Sequence, residues 1–387
     1  MTTDQATRRG VASSLAPVVA SQLLTGTASW SLLIGVLGYA TYELHAGPFQ
    51  AGLLGLAWGT PPVLFGILVG RLIDAYGPKL IVAVSGVGSI AISLWLVFAP
   101  GWWLLLALVL LTGVARAFNQ PAIDAMPTWL TRPVDHHTSS VWHGFATNVP
   151  MVVGPLVAAG MITLAGMPSL YLVNAALHAL SLLMLLWVRT RGCVVPVAEG
   201  GGRLPRTRGA RAVLALSFVV WVSYASYDVL EALYVRDVLS SGVSVFTLLQ
   251  AAFGVGLLAT SVAMTRFSRG LTSYRALAAS VVFMGCAEAV YVATDRLWIS
   301  VCGAVLFGVG VALFGPMCRA SLLEAVPPDQ HGAAMATWRS AQSAGSVIPL
   351  LALGAVGQLL GPQLTMVSTS VMVVTAGLLA WATRRAT

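Results

Sequence analysis

The sequence predicts an all-α membrane protein of twelve transmembrane helices in two six-helix, pseudo-symmetric bundles. Three observations predict it. Of 387 residues, 57% are hydrophobic and only 9% charged, and the mean hydropathy is +0.85. Soluble chains carry about 25% charged residues, so this chain has too few charges to cover an aqueous surface. Apolar stretches then recur along the whole length, each long enough for the roughly 20 residues that cross a bilayer. Finally, the two halves echo each other at a constant displacement of 195 residues.

Hydropathy and breakers place the first span at 12–42, behind the polar, basic MTTDQATRRG, and many apolar stretches follow it. It is therefore expected to stay as a span and not to be a cleaved signal. The second and third spans, 48–70 and 79–99, flank a short polar loop, and the fourth, 102–130, is long enough to run on into the cytoplasm. The fifth and sixth lie at 138–164 and 168–188, and a Gly-, Pro- and Arg-rich segment at 189–211 reads as a linker. The remaining spans are 211–236, 243–265, 272–293, 297–324, 332–356 and 362–383. This divides the chain into an N-terminal bundle, 1–188, and a C-terminal bundle, 212–387.

The net charge of +8 fits orientation in a membrane better than binding to nucleic acid. With the N-terminus inside, sixteen of the 21 basic residues fall in cytoplasmic segments, only Arg236 and Arg296 fall outside, and Arg116, Arg319 and Arg339 lie within spans. That asymmetry is the positive-inside bias and puts both termini in the cytoplasm. Twenty Arg against one Lys suggests GC-rich codons and hence a bacterial cytoplasmic membrane. Cys193, Cys286, Cys302 and Cys318 show no metal-ligand or redox spacing, so neither metal nor cofactor is expected.

The repeat is carried by GVARAFNQPAIDAMPTWLTRPVDHH from Gly113 and GVGVALFGPMCRASLLEAVPPDQHG from Gly308. The register pairs Gly47 with Gly242, Gly113 with Gly308, Pro121 with Pro316, Pro133 with Pro328, His136 with His331 and Gly166 with Gly361. An even number of spans per unit gives two repeats of the same orientation.

The loop GRLIDAYGPK sets Gly70 and Arg71 ahead of Asp74, Gly77 and Lys79. It resembles the signature loop of the major facilitator superfamily: a glycine, an acid four residues on, a second glycine, then a basic residue. The resemblance implies the fold of that family, secondary transport with substrate held between the bundles, and a gating role for Asp74 at the cytoplasmic side. The fifth span carries NVPMVVGPLVAAG, whose Gly154-Pro155 pair resembles the family's antiporter motif, although Pro150, Ala158 and Ala159 stand at positions where glycine is expected. ARAFNQPAIDAMPTWL is similar to the bacterial drug-efflux and siderophore-exporter branches. Family members work as monomers, which is the expectation here. Gly55 with Gly59, and Gly66 with Gly70, give the small-xxx-small spacing that lets helices approach closely.

Charges in hydrocarbon cost about 2.5 to 3.5 kcal/mol each at mid-helix by insertion scales, so they point to function. On the seventh span Trp221, Tyr224, Tyr227, Asp228, Glu231 and Tyr234 recur at spacings of three and four, on one helical face. Such carboxylates can couple protons or bind substrate; the bland alternative is that they meet water or pair with Arg236. Arg116, Asn119, Gln120 and Asp124 form a second stripe on the fourth span, and Arg116 needs an acid, a carbonyl, water or substrate as its partner. Trp338, Arg339, Gln342, Ser343 and Ser346 form a third stripe on the eleventh, while Gln22, Thr25, Ser29 and Trp30 offer neutral contacts on the first. The family fold implies that these four spans border its cavity. Glu288 and His178 lie on spans that are peripheral there, so Glu288 is expected to snorkel or to sit at a helix interface. His143, near a cytoplasmic end, is expected to be packed or wetted, and Arg319 and Glu324 to make structural pairs.

The leading expectation is a proton-coupled antiporter that exports an amphipathic, drug-like molecule by alternating access. Export of a siderophore-like metabolite, nutrient uptake and a non-transporting sensor are the alternatives. No HExxH, GxSxG or Walker loop occurs, which argues against an enzyme or an ATP-driven pump.

Overall fold

The computed structural model describes residues 2–98, 101–130, 136–188, 207–267, 273–327 and 330–383. Its helices are α1 (Thr2–Tyr42), α2 (Pro48–Tyr76), α3 (Pro78–Leu96), α4 (Trp102–Ala125), α5 (His136–Asn148), α6 (Pro150–Ala165) and α7 (Met167–Leu186). They continue with α8 (Arg208–Asp237), α9 (Val243–Phe267), α10 (Tyr274–Val292), α11 (Leu297–Glu324), α12 (His331–Val347), α13 (Leu350–Leu360) and α14 (Pro362–Thr383). A short 3-10 turn at Met126–Trp129 extends α4, and no strand occurs among the described residues.

Among the described residues fourteen helices make up to twelve spans, because two of the predicted spans are interrupted. α5 with α6, and α12 with α13, each supply one apolar stretch, Trp142–Ala165 and Ala333–Leu360. The breaks fall at Pro150 and Pro349. A proline has no N–H for the helical ladder, and its ring crowds the carbonyl four residues earlier. α2 is also bent, by 60° between Pro48–Gly66 and Leu68–Tyr76.

The 195-residue register reappears in the helix boundaries themselves. Pro48 and Val243, Trp102 and Leu297, His136 and His331, and Met167 and Pro362 are equivalent first residues, and Tyr42 and Asp237 equivalent last ones. Packing repeats with them. A Cβ on Gly113 would meet the carbonyl oxygens of Ala57 at 2.5 Å and Trp58 at 3.0 Å, and one on Gly308 would meet that of Phe253 at 2.0 Å. Trp58 and Phe253 are themselves equivalent, so α2 against α4 and α9 against α11 cross at the same two positions, each with glycine at closest approach. Gly166 and Gly361 both take positive φ, 75° and 86°, at the start of the last helix of each half.

By its contacts the chain separates into two compact units, Met1–Tyr39 with Ala57–Val197, and Ala40–Leu56 with Ala198–Thr387. The end of α1 and the start of α2 thus group with the second unit. There Gly52 lies under the Leu350 carbonyl and Gly55 under Val229 and Leu350, while Tyr42 Oη donates to the Ala232 carbonyl at 3.4 Å. The first unit buries Leu15, Val69, Ile73, Val82, Ile123 and Leu185 in one cluster where α1, α2, α3, α4 and α7 meet near the α2–α3 turn.

Candidate functional site

In the second unit α8 is capped by Thr207, whose side chain accepts the Ala210 N–H at 3.2 Å, and the helix then runs uninterrupted to Asp237. Its spacing of three and four turns Tyr224, Tyr227, Glu231 and Tyr234 inward, and all four are buried. Tyr227 packs on Phe253 of α9 at 5.5 Å, on Phe307 of α11 at 4.9 Å and on Tyr291 of α10 at 5.7 Å between ring centroids. Tyr224 lies between Trp221, at 5.2 Å, and Tyr227, at 6.0 Å, so the aromatic face predicted from spacing is a continuous series of tilted ring contacts. Tyr234 is structural: its hydroxyl donates to the Thr294 carbonyl at 2.6 Å and lies 3.0 Å from Ser300 Oγ, tying α8 to the α10–α11 turn.

Glu231 is 0% exposed. Tyr291 Oη donates to one carboxyl oxygen and Gln250 Nε2 to the other. Arg236 is not its counter-ion. Its Nε bonds Asp237 at 2.6 Å, and its Nη1 donates to the Thr41 carbonyl at 2.9 Å and the Ala46 carbonyl at 3.2 Å. Among the described residues no ion pair reaches Glu231. Asp228, half-buried, lies one turn before it.

Glu288 takes the second of the two places expected of it, a helix interface. It does not snorkel: it is 0% exposed, and Ser223 Oγ of α8 donates to its Oε2 at 2.5 Å. Its other oxygen is buried without a hydrogen-bond partner among the described residues. A signal in the sequence was available, since Leu277, Val281, Met284, Glu288 and Tyr291 recur at spacings of three and four and are all fully buried.

On the eleventh span Trp338 is buried and its Nε1 donates to Ser217 Oγ of α8 at 3.0 Å, so it packs this span onto α8. Arg339 is exposed, and Gln342 is half-buried. Arg319, also exposed, forms no ion pair with Glu324 among the described residues.

In the first unit the fourth-span stripe divides in two. Arg116, Asn119 and Gln120 line a small polar cleft with Thr25, Ser29 and His178, and the Arg116 guanidinium lies 5.0 Å over the Trp58 ring. Asn119 is buried; its Nδ2 donates to Ser85 Oγ at 3.1 Å, and its Oδ1 has no partner. His178 reaches this cleft despite its expected peripheral position. Asp124 turns away to the protein surface and accepts from Gln120 Nε2 at 3.0 Å and Gln22 Nε2 at 3.4 Å. His143 Nδ1 lies 3.0 Å from the same Gln22 nitrogen and 3.7 Å from Asp124. Trp30 is placed by the antiporter-like motif: a Cβ on Gly154 would lie 2.5 Å from the Trp30 Cβ. Pro155, next to it, is buried in α6.

The signature loop is a single residue. Gly70, Arg71 and Asp74 are helical, because nothing in GRLIDAY breaks α2 before Gly77, whose φ of 78° makes the turn and whose N–H bonds the Ile73 carbonyl at 2.8 Å. Lys79 Nζ donates to the Val188 carbonyl at 2.8 Å, closing the end of α7. Asp74 makes no hydrogen bond or ion pair among the described residues, and Gly66 and Gly70 have open space where a Cβ would stand. Of the small-residue positions, Gly55 does lie at a close contact.

The profile of the Major Facilitator Superfamily matches residues 19–227 and 213–387. A curated relative, the uncharacterized MFS-type transporter YfiS of Bacillus subtilis, is 23% identical over 174 residues, 45% of this chain and 42% of that one. The match therefore spans less than half of the relative's length. Among solved structures, a bacterial homolog of the human lysosomal transporter Spinster superposes with a TM-score of 0.74 at 14% identity over 96% of both chains. A POT family transporter in complex with 5-aminolevulinic acid does so with a TM-score of 0.77 at 12% identity over 95% of both. At these identities the likeness is one of fold.

Proposed function

Because the chain belongs to the major facilitator superfamily, we propose that it is a secondary active transporter that exports an amphipathic small molecule in exchange for protons by alternating access. The observation that carries the proton coupling is Glu231, an acid with no exposure that is held by neutral donors only, Tyr291 and Gln250. A buried carboxylate without a cation is strongly unfavourable, so a group in this setting tends to exchange a proton or to be conserved for binding a cation. The substrate class follows from the side chains offered. The ring series Trp221–Tyr224–Tyr227 suits planar or cationic groups, and Arg116 brings a fixed positive charge in the first unit. The cationic group of a drug-like molecule suits the ring series, and the anionic group of a zwitterion suits an arginine. An endogenous metabolite of the same amphipathic chemistry is the second reading. The protein would act as a monomer in a bacterial cytoplasmic membrane, with both termini inside.

The test is proton movement in proteoliposomes with a pH-sensitive dye inside, on adding lipophilic cations, zwitterions and siderophore-like acids in turn. Substrate-evoked proton movement that disappears in Glu231→Gln supports coupled transport. Evoked movement that persists in the variant removes Glu231 from the mechanism.

A further inference from the structure

We infer that Glu288 of α10 is a second proton-exchanging carboxyl of this protein, hydrogen-bonded to Ser223 of α8. The inference rests on the proton-coupled reading above and extends it to a second carboxyl. Glu288 is fully buried, one of its oxygens is engaged by the Ser223 hydroxyl, and the other has no partner. A carboxylate in that position would leave a lone pair and a full charge without compensation. A bound proton removes the charge and leaves the Ser223 contact intact.

Among the described residues the groups around Glu288 supply no cation. On α10 itself Tyr291 lies one turn on, and Arg275 is thirteen residues back, about 20 Å along the axis at 1.5 Å per residue. α8 presents Ser223, with Tyr227, Asp228 and Glu231 on its following turns. α14 carries no ionisable side chain from Pro362 to Thr383. On α11 the ionisable groups are Cys302, Cys318, Arg319 and Glu324; Gly303 and Gly310 meet Tyr291 and Met284 of α10, so Arg319 stands more than two turns beyond that contact. Among the described residues, therefore, only neutral or acidic groups surround Glu288.

Ser223 and Glu231 are two turns apart on α8, and Glu288 and Tyr291 one turn apart on α10. The two carboxyls thus bracket one α8–α10 seam: Glu288 reaches across to Ser223, and Tyr291 reaches back to Glu231. A change in the relation of these helices alters both contacts together. The chemistry is minimal: one O–H bond forms when the carboxylate takes a proton from water, and the same bond breaks on release.

The experiment uses the full chain in phosphatidylethanolamine–phosphatidylglycerol vesicles and infrared difference spectra between alkaline and acidic buffer, which need no substrate. The carbonyl band of a buried protonated carboxyl should grow on acidification in the wild type. Glu288→Gln should lose one component of that band, and Ser223→Ala should keep it at higher wavenumber because the hydrogen bond is gone. A merely structural Glu288 would leave the difference spectrum of Glu288→Gln identical to the wild type and that of Ser223→Ala unmoved, which overturns the inference. Substrate-evoked proton movement on adding tetraphenylphosphonium or the rest of the panel is followed in the same vesicles. If the wild type moves no protons with any compound, the coupled reading fails, while the infrared band still decides whether Glu288 exchanges a proton.

Discussion

Tyr291 spends its hydroxyl on Glu231, and its ring packs on Tyr227 and Tyr234. Tyr291→Phe keeps the rings and leaves a buried carboxyl oxygen without its donor, so it should lower stability by about 1–3 kcal/mol. Thermal unfolding in detergent measures this, and slowed proton movement in vesicles should accompany it. Arg236 differs in kind, because its contacts tie the end of α8 to the carbonyls of Thr41 and Ala46. Arg236→Gln should reduce unfolding temperature and leave the proton dependence of transport unchanged. The stripe on α8 was legible in the sequence because spacing alone puts its members on one face. The partners of Glu231 were not, since Gln250 and Tyr291 come from two other helices.

Helix crossings in this protein depend on which glycines meet a neighbour. Gly308 lies against backbone of α9, which cannot swing away as a side chain can. Gly308→Ala should therefore cost at least about 1–3 kcal/mol through overpacking, seen as loss of monodisperse protein after extraction. Gly70 is the opposite case: it is exposed inside α2 with open space around its Cα. Gly70→Ala should stabilise α2 by about 0.5–1 kcal/mol, so any loss of transport in that variant reports on motion or gating and not on folding. The small-xxx-small spacing was legible, but it could not tell Gly55, which is packed, from Gly66 and Gly70, which are not. Which side of α2 acquires a neighbour is set by other elements. The breaks at Pro150 and Pro349 could be read in principle from proline alone, yet Pro17, Pro121, Pro155 and Pro316 lie inside continuous helices. Neighbouring helices that hold the ladder on both sides of a proline decide which outcome occurs.

At the scale of the molecule, the orientation read from basic residues remains the part most open to direct measurement. A fluorescent-protein fusion at the C-terminus should be fluorescent and an alkaline phosphatase fusion after Asp295 active; the reverse pattern would overturn the assignment of both termini to the cytoplasm. The sequence by itself determined the solvent, the approximate number of spans and the internal repeat, because hydrocarbon thickness and the lack of water for backbone groups allow few alternatives. The 195-residue register, read from a few glycines, prolines and histidines, returned in helix boundaries and in the equivalent crossings at Gly113 and Gly308. Only the tertiary structure decided that residues 40–56 group with the second unit, that Glu288 is buried against Ser223, and that Asp124 leaves the Arg116 cleft for Gln22. The physical reason is that periodicity assigns a residue to a face of its own helix, whereas the partner on that face belongs to a helix far away in the chain, and in a largely apolar sequence almost any face can be packed.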